Sequence, residues 1–122
     1  GIDNLIDSAQ MNWLIEDLEK SERCSAIFVI TYHPVFTEEK IRGKVVLKNS
    51  LLMELFIRHK VRAVFSGKDE KYSSSYYGGV DYYTTGCGGY NDKKDNKKKF
   101  QYYLVTIEEN RIQVSPERVI TQ

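Results

Sequence analysis

At 122 residues the chain is long enough for one domain with a core of its own. Its 18 Lys plus Arg against 17 Asp plus Glu leave a net charge of +1, which excludes a global field drawing it to nucleic acid or to an anionic membrane. No apolar run approaches the roughly 20 residues of a bilayer-spanning helix, so a soluble protein without a membrane partner is expected, with no indication of compartment.

The chain opens on Gly1-Ile2-Asp3-Asn4, which fits a processed end or a boundary inside a longer protein. Asp7-Ser8-Ala9-Gln10 then offers an acidic N-cap with Gln three residues on, a capping-box arrangement. The helix it starts carries Met11, Leu14, Ile15 and Leu18 at helical spacing. Glu16, Asp17 and Glu19 fall mostly on the other face, and Lys20 and Arg23 suit the negative end of the dipole. Trp13 reads as an anchor from this helix into the core. Cys24 and Cys87 form neither a disulfide framework nor a C-x-x-C metal pair, and both are expected to be free, packed thiols.

Ala26-Ile27-Phe28-Val29-Ile30 is apolar without alternation, as in a strand buried on both faces. It runs out at Thr31-Tyr32-His33-Pro34, where the proline ends the ladder and biases His33 toward an extended conformation. The polar segment Thr37 to Lys44 reads as a loop. A second helix follows, capped by Asn49 or Ser50, with Leu51, Leu52, Leu55, Phe56 and His59 on one face. Val61 to Ser66 repeats the buried-strand pattern and stops at Gly67.

Two strands, each preceded by a helix, predict a parallel pair joined by a right-handed crossover. The remainder is rich in Tyr, Val, Ile and Thr. Val80 to Thr85, Phe100 to Glu108 and Arg111 to Ser115 read as strands of a meander or hairpin, with Glu109-Asn110 as a turn, and the tyrosines at 76, 77, 82, 83, 102 and 103 suit strand faces. The charge run Asp92 to Lys99 reads as a solvated hairpin tip, or less simply as a phosphate-binding patch. The fold expected is therefore a single α/β domain over 1–122: a mixed sheet with flanking helices and antiparallel strands at the C-terminus.

Ligands of open α/β sheets sit beyond the C-terminal ends of the strands. Three loops begin there: His33 after the first strand, Gly67 to Glu70 after the next, and Gly86-Cys87-Gly88-Gly89 after the third. Glycines in the third loop serve either a tight turn or a close approach of backbone amides to a ligand.

In chain order, Q-x-x-W-L at Gln10 to Leu14, His33-Pro34, the amphipathic helix, Ser66-Gly67 with a tyrosine soon after, and G-V-x-Y-x-x-x-G-x-G-G from Gly79 to Gly89 form a recognisable series. Over nearly the whole chain it resembles the C-terminal half of calcineurin-like metallophosphoesterases, including the purple-acid-phosphatase branch. The resemblance implies half of a β-sandwich flanked by helices. It also implies two metal ions at the sheet edge, which clamp a phosphoester and activate a bridging water. The family's ligands come from D-x-H, G-D-x-x-D, G-N-H-D/E, a lone His and G-H-x-H, and the first three motifs are not in this sequence.

By that resemblance His33 takes the place of the lone His, and Gly67-Lys68-Asp69-Glu70 the place of G-H-x-H with both histidines replaced. Lys68 offers donors and no lone pair, so it repels a divalent cation where the family has an imidazole. Glu70 and Asp69 retain oxygen donors for a hard cation. The metal candidates are His33, Glu70 and Asp69, for Mn, Fe, Zn or Mg if a divalent metal binds at all. Lys68 and Gly88 are the candidates beside a phosphoester. Against these stand plainer readings: His33 as a hydrogen-bonded histidine at a strand end, and residues 68–70 as an ordinary polar turn.

Three functions are compatible with the series. One is a degenerate phosphoesterase-like domain without independent catalysis; another is the C-terminal part of an active phosphatase or phosphodiesterase completed by an upstream segment; the third is a non-enzymatic interaction module. Because a half-sandwich leaves apolar surface open, a homo-oligomer or a missing N-terminal segment is expected to cover it.

Overall fold

A computed structural model of the chain describes residues 6–67, 72–85, 90–92, 97–109 and 111–119. Helix α1 spans Ser8–Lys20, and the Asp7 carboxylate caps it by accepting from the Gln10 amide at 2.8 Å. It leads into β1 (Phe28–Thr31), the hairpin β2 (Glu38–Ile41) and β3 (Lys44–Leu47), helix α2 (Ser50–Arg58) and β4 (Ala63–Ser66). Strands β5 (Tyr72–Tyr77), β6 (Val80–Thr85), β7 (Tyr90–Asp92), β8 (Lys97–Glu108) and β9 (Arg111–Val119) follow.

The main sheet has the order β1-β4-β6-β5, with β1, β4 and β6 parallel and β5 antiparallel to β6. The α/β class with a mixed sheet and antiparallel C-terminal strands is thus observed, as is the parallel pairing of β1 with β4. One sheet face packs on both helices. Val64 and Tyr82 point into a core completed by Leu18, Leu52, Met53, Phe56 and Val61. Burying side chains of this size contributes about 1.5–3 kcal/mol each.

Helix α2 is held at both ends by backbone-directed contacts. Asn49 occupies the N-cap, yet its side-chain amide donates to the Val35 carbonyl at 2.6 Å, so it ties the preceding loop to the helix and does not cap it. At the other end the Lys60 amide bonds Ile57 O and the Val61 amide bonds Phe56 O at 2.9 Å. This is a Schellman closure with lysine, at φ +55°, where glycine is usual.

The opposite sheet face, which carries Phe65 and Tyr83, meets the second sheet. Tyr103 of β8 places its ring 5.0 Å from Tyr83 and 6.2 Å from Phe65, and its hydroxyl donates to Thr84 O at 3.5 Å. Strands β7, β8 and β9 form that sheet, antiparallel throughout. The ends of the 92–99 charge run therefore belong to strands, with Asp92 paired to Lys97.

Several expectations are corrected. Residues 37–44 are not a loop: Arg42 and Gly43, both at positive φ, make the two-residue turn of a hairpin that includes 38–41 and 44–47. Strand β5 was legible only at Tyr76 and Tyr77, and it extends back to Tyr72 because β6 supplies its partner through the Gly78-Gly79 turn. Strand β1 is not sealed on both faces. Among the described residues it is the sheet's edge, and Ile30 is 85% exposed. Trp13 is 64% exposed and no core anchor, because it lies off the Met11-Leu14-Ile15-Leu18 stripe that faces the sheet. Leu51 likewise falls off the buried face of α2, and Cys24 is a free thiol that is exposed, not packed, since it sits in the turn after α1. No helix among the described residues is long and apolar enough to cross a membrane.

Candidate functional site

Parallel pairing puts the C-terminal ends of β1, β4 and β6 side by side, with Thr31, Ser66 and Thr84 in register. Each loop carrying a candidate residue leaves from this rim. His33 lies two residues beyond the end of β1, and Gly67 follows β4 directly. Of the sequence-derived candidates only His33 is described. Glu70, Asp69, Lys68 and Gly88 lie outside the described residues, as do Gly86, Cys87 and Gly89.

A set of hydroxyls joins the strand ends. Thr31 Oγ1 donates to the His33 carbonyl at 2.8 Å and lies 2.8 Å from Ser66 Oγ. Because the single Thr31 proton is committed to that carbonyl, Ser66 is the donor in the second bond. Thr85 Oγ1 donates to Ser66 O at 3.2 Å, and the Gly67 amide reaches Thr31 O at 3.3 Å. The bonds fix the backbone on either side of the rim and pin the start of the His33 turn. Sequence reasoning placed Thr31, Ser66 and Thr85 at strand ends and gave their hydroxyls no role. Their shared signal is a short hydroxyl residue at the last position of each of three strands.

The imidazole of His33 is exposed and lies edge-on to the Tyr32 ring, with centroids 4.9 Å apart. Among the described residues no three His, Cys, Asp or Glu side chains gather where they could hold a metal ion. Among the described residues the rim offers one imidazole beside hydroxyls, and the oxygen donors of Asp69 and Glu70 lie outside them; a two-metal centre needs a complete set of donors and their supporting hydrogen bonds.

Three phenols of the two sheets, Tyr82 buried and Tyr83 and Tyr103 half-buried, are held above their ordinary range. Burial, with Tyr77 adding, pushes Tyr82 up to about 12, and its hydroxyl is buried with no hydrogen-bond partner among the described residues. Tyr83 is raised by burial and by Asp81, against a lowering from Arg62. Tyr103 is raised by burial and then by Tyr83 and Tyr72. Arg62 and Asp81 form an ion pair at 2.6 Å near the start of β4 and β6, at the end of the sheet away from the rim.

A groove of about 600 Å³ runs along the outer side of β1, between that strand and α1, and reaches Tyr32 and His33 at the rim. Trp13, Ile30 and Cys24 are among its walls. Compared with known proteins, the sequence matches no family model and no curated protein.

Proposed function

We propose that the chain is a metallophosphoesterase-like domain of degenerate type, which holds a phosphoester at the C-terminal rim of β1, β4 and β6 without hydrolysing it on its own. One observation carries the reading. Thr31, Ser66 and Thr84 stand in register, so that the His33, Gly67 and Thr85 positions open onto one rim in the chain order of the motifs. Crevices of this kind, outside the carboxyl ends of parallel strands, are where open α/β sheets take ligands.

The chemistry of the residue types supports binding over turnover. Lys68, next after Gly67, brings a fixed positive charge and three donors, which suit a phosphate as a point charge and not a metal. A two-metal clamp stabilises both the attacking and the leaving oxygen, and one imidazole with one or two carboxylates, beside an ammonium in an imidazole's place, does not build it. Backbone amides and an ammonium hold an anion without activating water.

The test is an amide NMR titration with phenyl phosphate, beside a chromogenic phosphoester assay with added Mn²⁺. Shifts confined to Thr31, Gly67 and Thr85, weakened at least tenfold by Lys68→Met, with no turnover, support the reading. Absence of binding overturns it. Mn²⁺-dependent hydrolysis that disappears in His33→Ala would also overturn it, in favour of an active hydrolase.

A further inference from the structure

We infer that the free edge of β1 is a homodimerisation surface, on which a second copy of this chain pairs antiparallel about a two-fold axis at Val29. The hydrogen-bonding pattern defines that edge. The carbonyls of Ile27 and Thr31 accept from Arg62 and Gly67, so the odd-numbered residues of the strand turn their backbone groups to β4. By the two-residue period, the amides and carbonyls of Phe28 and Ile30 point outward, and among the described residues no strand other than β4 pairs with β1.

Edge strands are normally guarded by lysine, proline, a bulge or an inward charge. Strand β1 is short, at four residues, but carries none of these chemical guards, and the stretch from Cys24 to Phe36 contains no Lys, Arg, Asp or Glu. The other edge, β5, is built around Ser73, Ser74 and Ser75, which are polar. The unguarded edge is also the apolar one. Ile30, Tyr32 (68% exposed) and Trp13 stand along it, around the groove between β1 and α1.

A second copy fits because the edge is complementary to itself. With Val29 opposite Val29 of the partner, Phe28 faces the partner's Ile30 and Ile30 faces the partner's Phe28. All outward amides and carbonyls of these two residues are then satisfied by four hydrogen bonds, in the reciprocal pattern of an isologous interface. An aromatic residue opposite a β-branched one is a favourable cross-strand pair. No like charges meet across the axis, as they would if the edge carried a lysine. Trp13, Ile30 and Tyr32 together offer on the order of 400 Å² per copy, which places the total below the standard interface class and the dimer among weak ones. The inference needs no property of His33 or Lys68, so its failure and that of the phosphoester reading are separate events.

The experiment is sedimentation equilibrium of the chain from about 1 μM to about 1 mM, with amide hydrogen exchange at both ends of that range. Trp13, the sole tryptophan, reports the groove by its emission. The expected result is a monomer–dimer equilibrium, an emission that shifts to the blue as concentration rises, and added protection confined to the Phe28 and Ile30 amides. Ile30→Lys, at a position already exposed, should weaken association at least tenfold while circular dichroism stays that of the parent. Tyr76→Lys, on the opposite edge strand, should not. A monomer throughout the range overturns the inference, as does association that Ile30→Lys leaves unchanged. Protection of Phe28 and Ile30 that does not depend on concentration overturns it too, because a segment of the same molecule would then be the occupant.

Discussion

Tyr103 is a described residue through which the β8–β9 hairpin grips the main sheet, and replacing it with alanine should show what that grip is worth. Its ring meets Tyr83 at 5.0 Å, Phe65 at 6.2 Å and Tyr72 at 6.5 Å, all in tilted or edge geometry. Aromatic pairs in such geometry contribute about 0.5–1.5 kcal/mol each beyond their area. The three contacts and the half-buried ring together give an expected loss of about 3 kcal/mol for Tyr103→Ala, below the upper end for a fully buried aromatic because the site is partly open. The hydroxyl adds little: its bond to Thr84 O is long at 3.5 Å, so Tyr103→Phe should cost no more than about 0.5 kcal/mol. Tyr102 is the internal control, adjacent in sequence, on the other face of the same strand and half-exposed. Tyr102→Ala should cost at most about 1 kcal/mol, through strand preference alone. Urea denaturation of the three variants, compared at constant m, measures all of this. Equal losses for Tyr102→Ala and Tyr103→Ala would refute the idea that one face of β8 is docked. The docking bears on function as well, because Phe65 and Tyr83 each immediately precede the rim residues Ser66 and Thr84.

Three further outcomes are expected. Tyr82→Phe removes a buried hydroxyl without a described partner and should be neutral or stabilise by about 1 kcal/mol in thermal or urea unfolding; a loss above that would reveal a partner. Lys60→Gly relieves a left-handed lysine in the Schellman closure of α2 and should stabilise by up to about 1 kcal/mol, whereas destabilisation would show that the lysine side chain contributes there. The phenols of Tyr82, Tyr83 and Tyr103 hold their protons more tightly folded than unfolded, their values being raised above 10.0, to about 12 for Tyr82. Their stabilisation is therefore complete below pH 10 and is lost as pH rises through the folded values. Melting temperature should be insensitive to these groups up to about pH 10 and fall above it, and a rise there would contradict the burial of the three rings.

The parts of this fold that were legible in the sequence are those whose pattern is periodic and local. Helix α1 announced itself through the Asp7 cap and the Met11-Leu14-Ile15-Leu18 stripe, and β4 through an apolar run that proves buried. The rest depended on partners. YSSSYY has little strand character alone and becomes β5 only because β6 pairs with it through Gly78-Gly79. The β2–β3 hairpin was read as a polar loop, because the charged residues Glu38, Glu39 and Lys40 masked a strand that is exposed and so needs no apolar alternation. An unbroken apolar run led to the expectation that β1 is interior. The run is the same in an interior strand and in an edge strand that some other surface covers, and sequence pattern does not distinguish the two. The candidate site followed the same division: three strand ends at one rim could be derived from topology, while the hydroxyl bonds across it depend on register, which only the folded sheet supplies.

The two proposals can be separated by geometry. Antiparallel pairing about Val29 sets His33 of one copy opposite the other copy's position 25. The two rims then stand eight residues apart along the strands, about 26 Å. A dimer built in this way leaves each rim to itself and completes no site from two chains. Ile30→Lys should therefore weaken association at least tenfold while leaving the phenyl phosphate shifts at Gly67 and Thr85 at the same midpoint, read in the same NMR titration. A parallel occupant is different, because its C-terminal end would arrive beside His33 and could contribute to the ligand's surroundings. Loss of phosphoester binding in Ile30→Lys, with the monomer still folded, would thus refute the antiparallel arrangement even if association itself were confirmed.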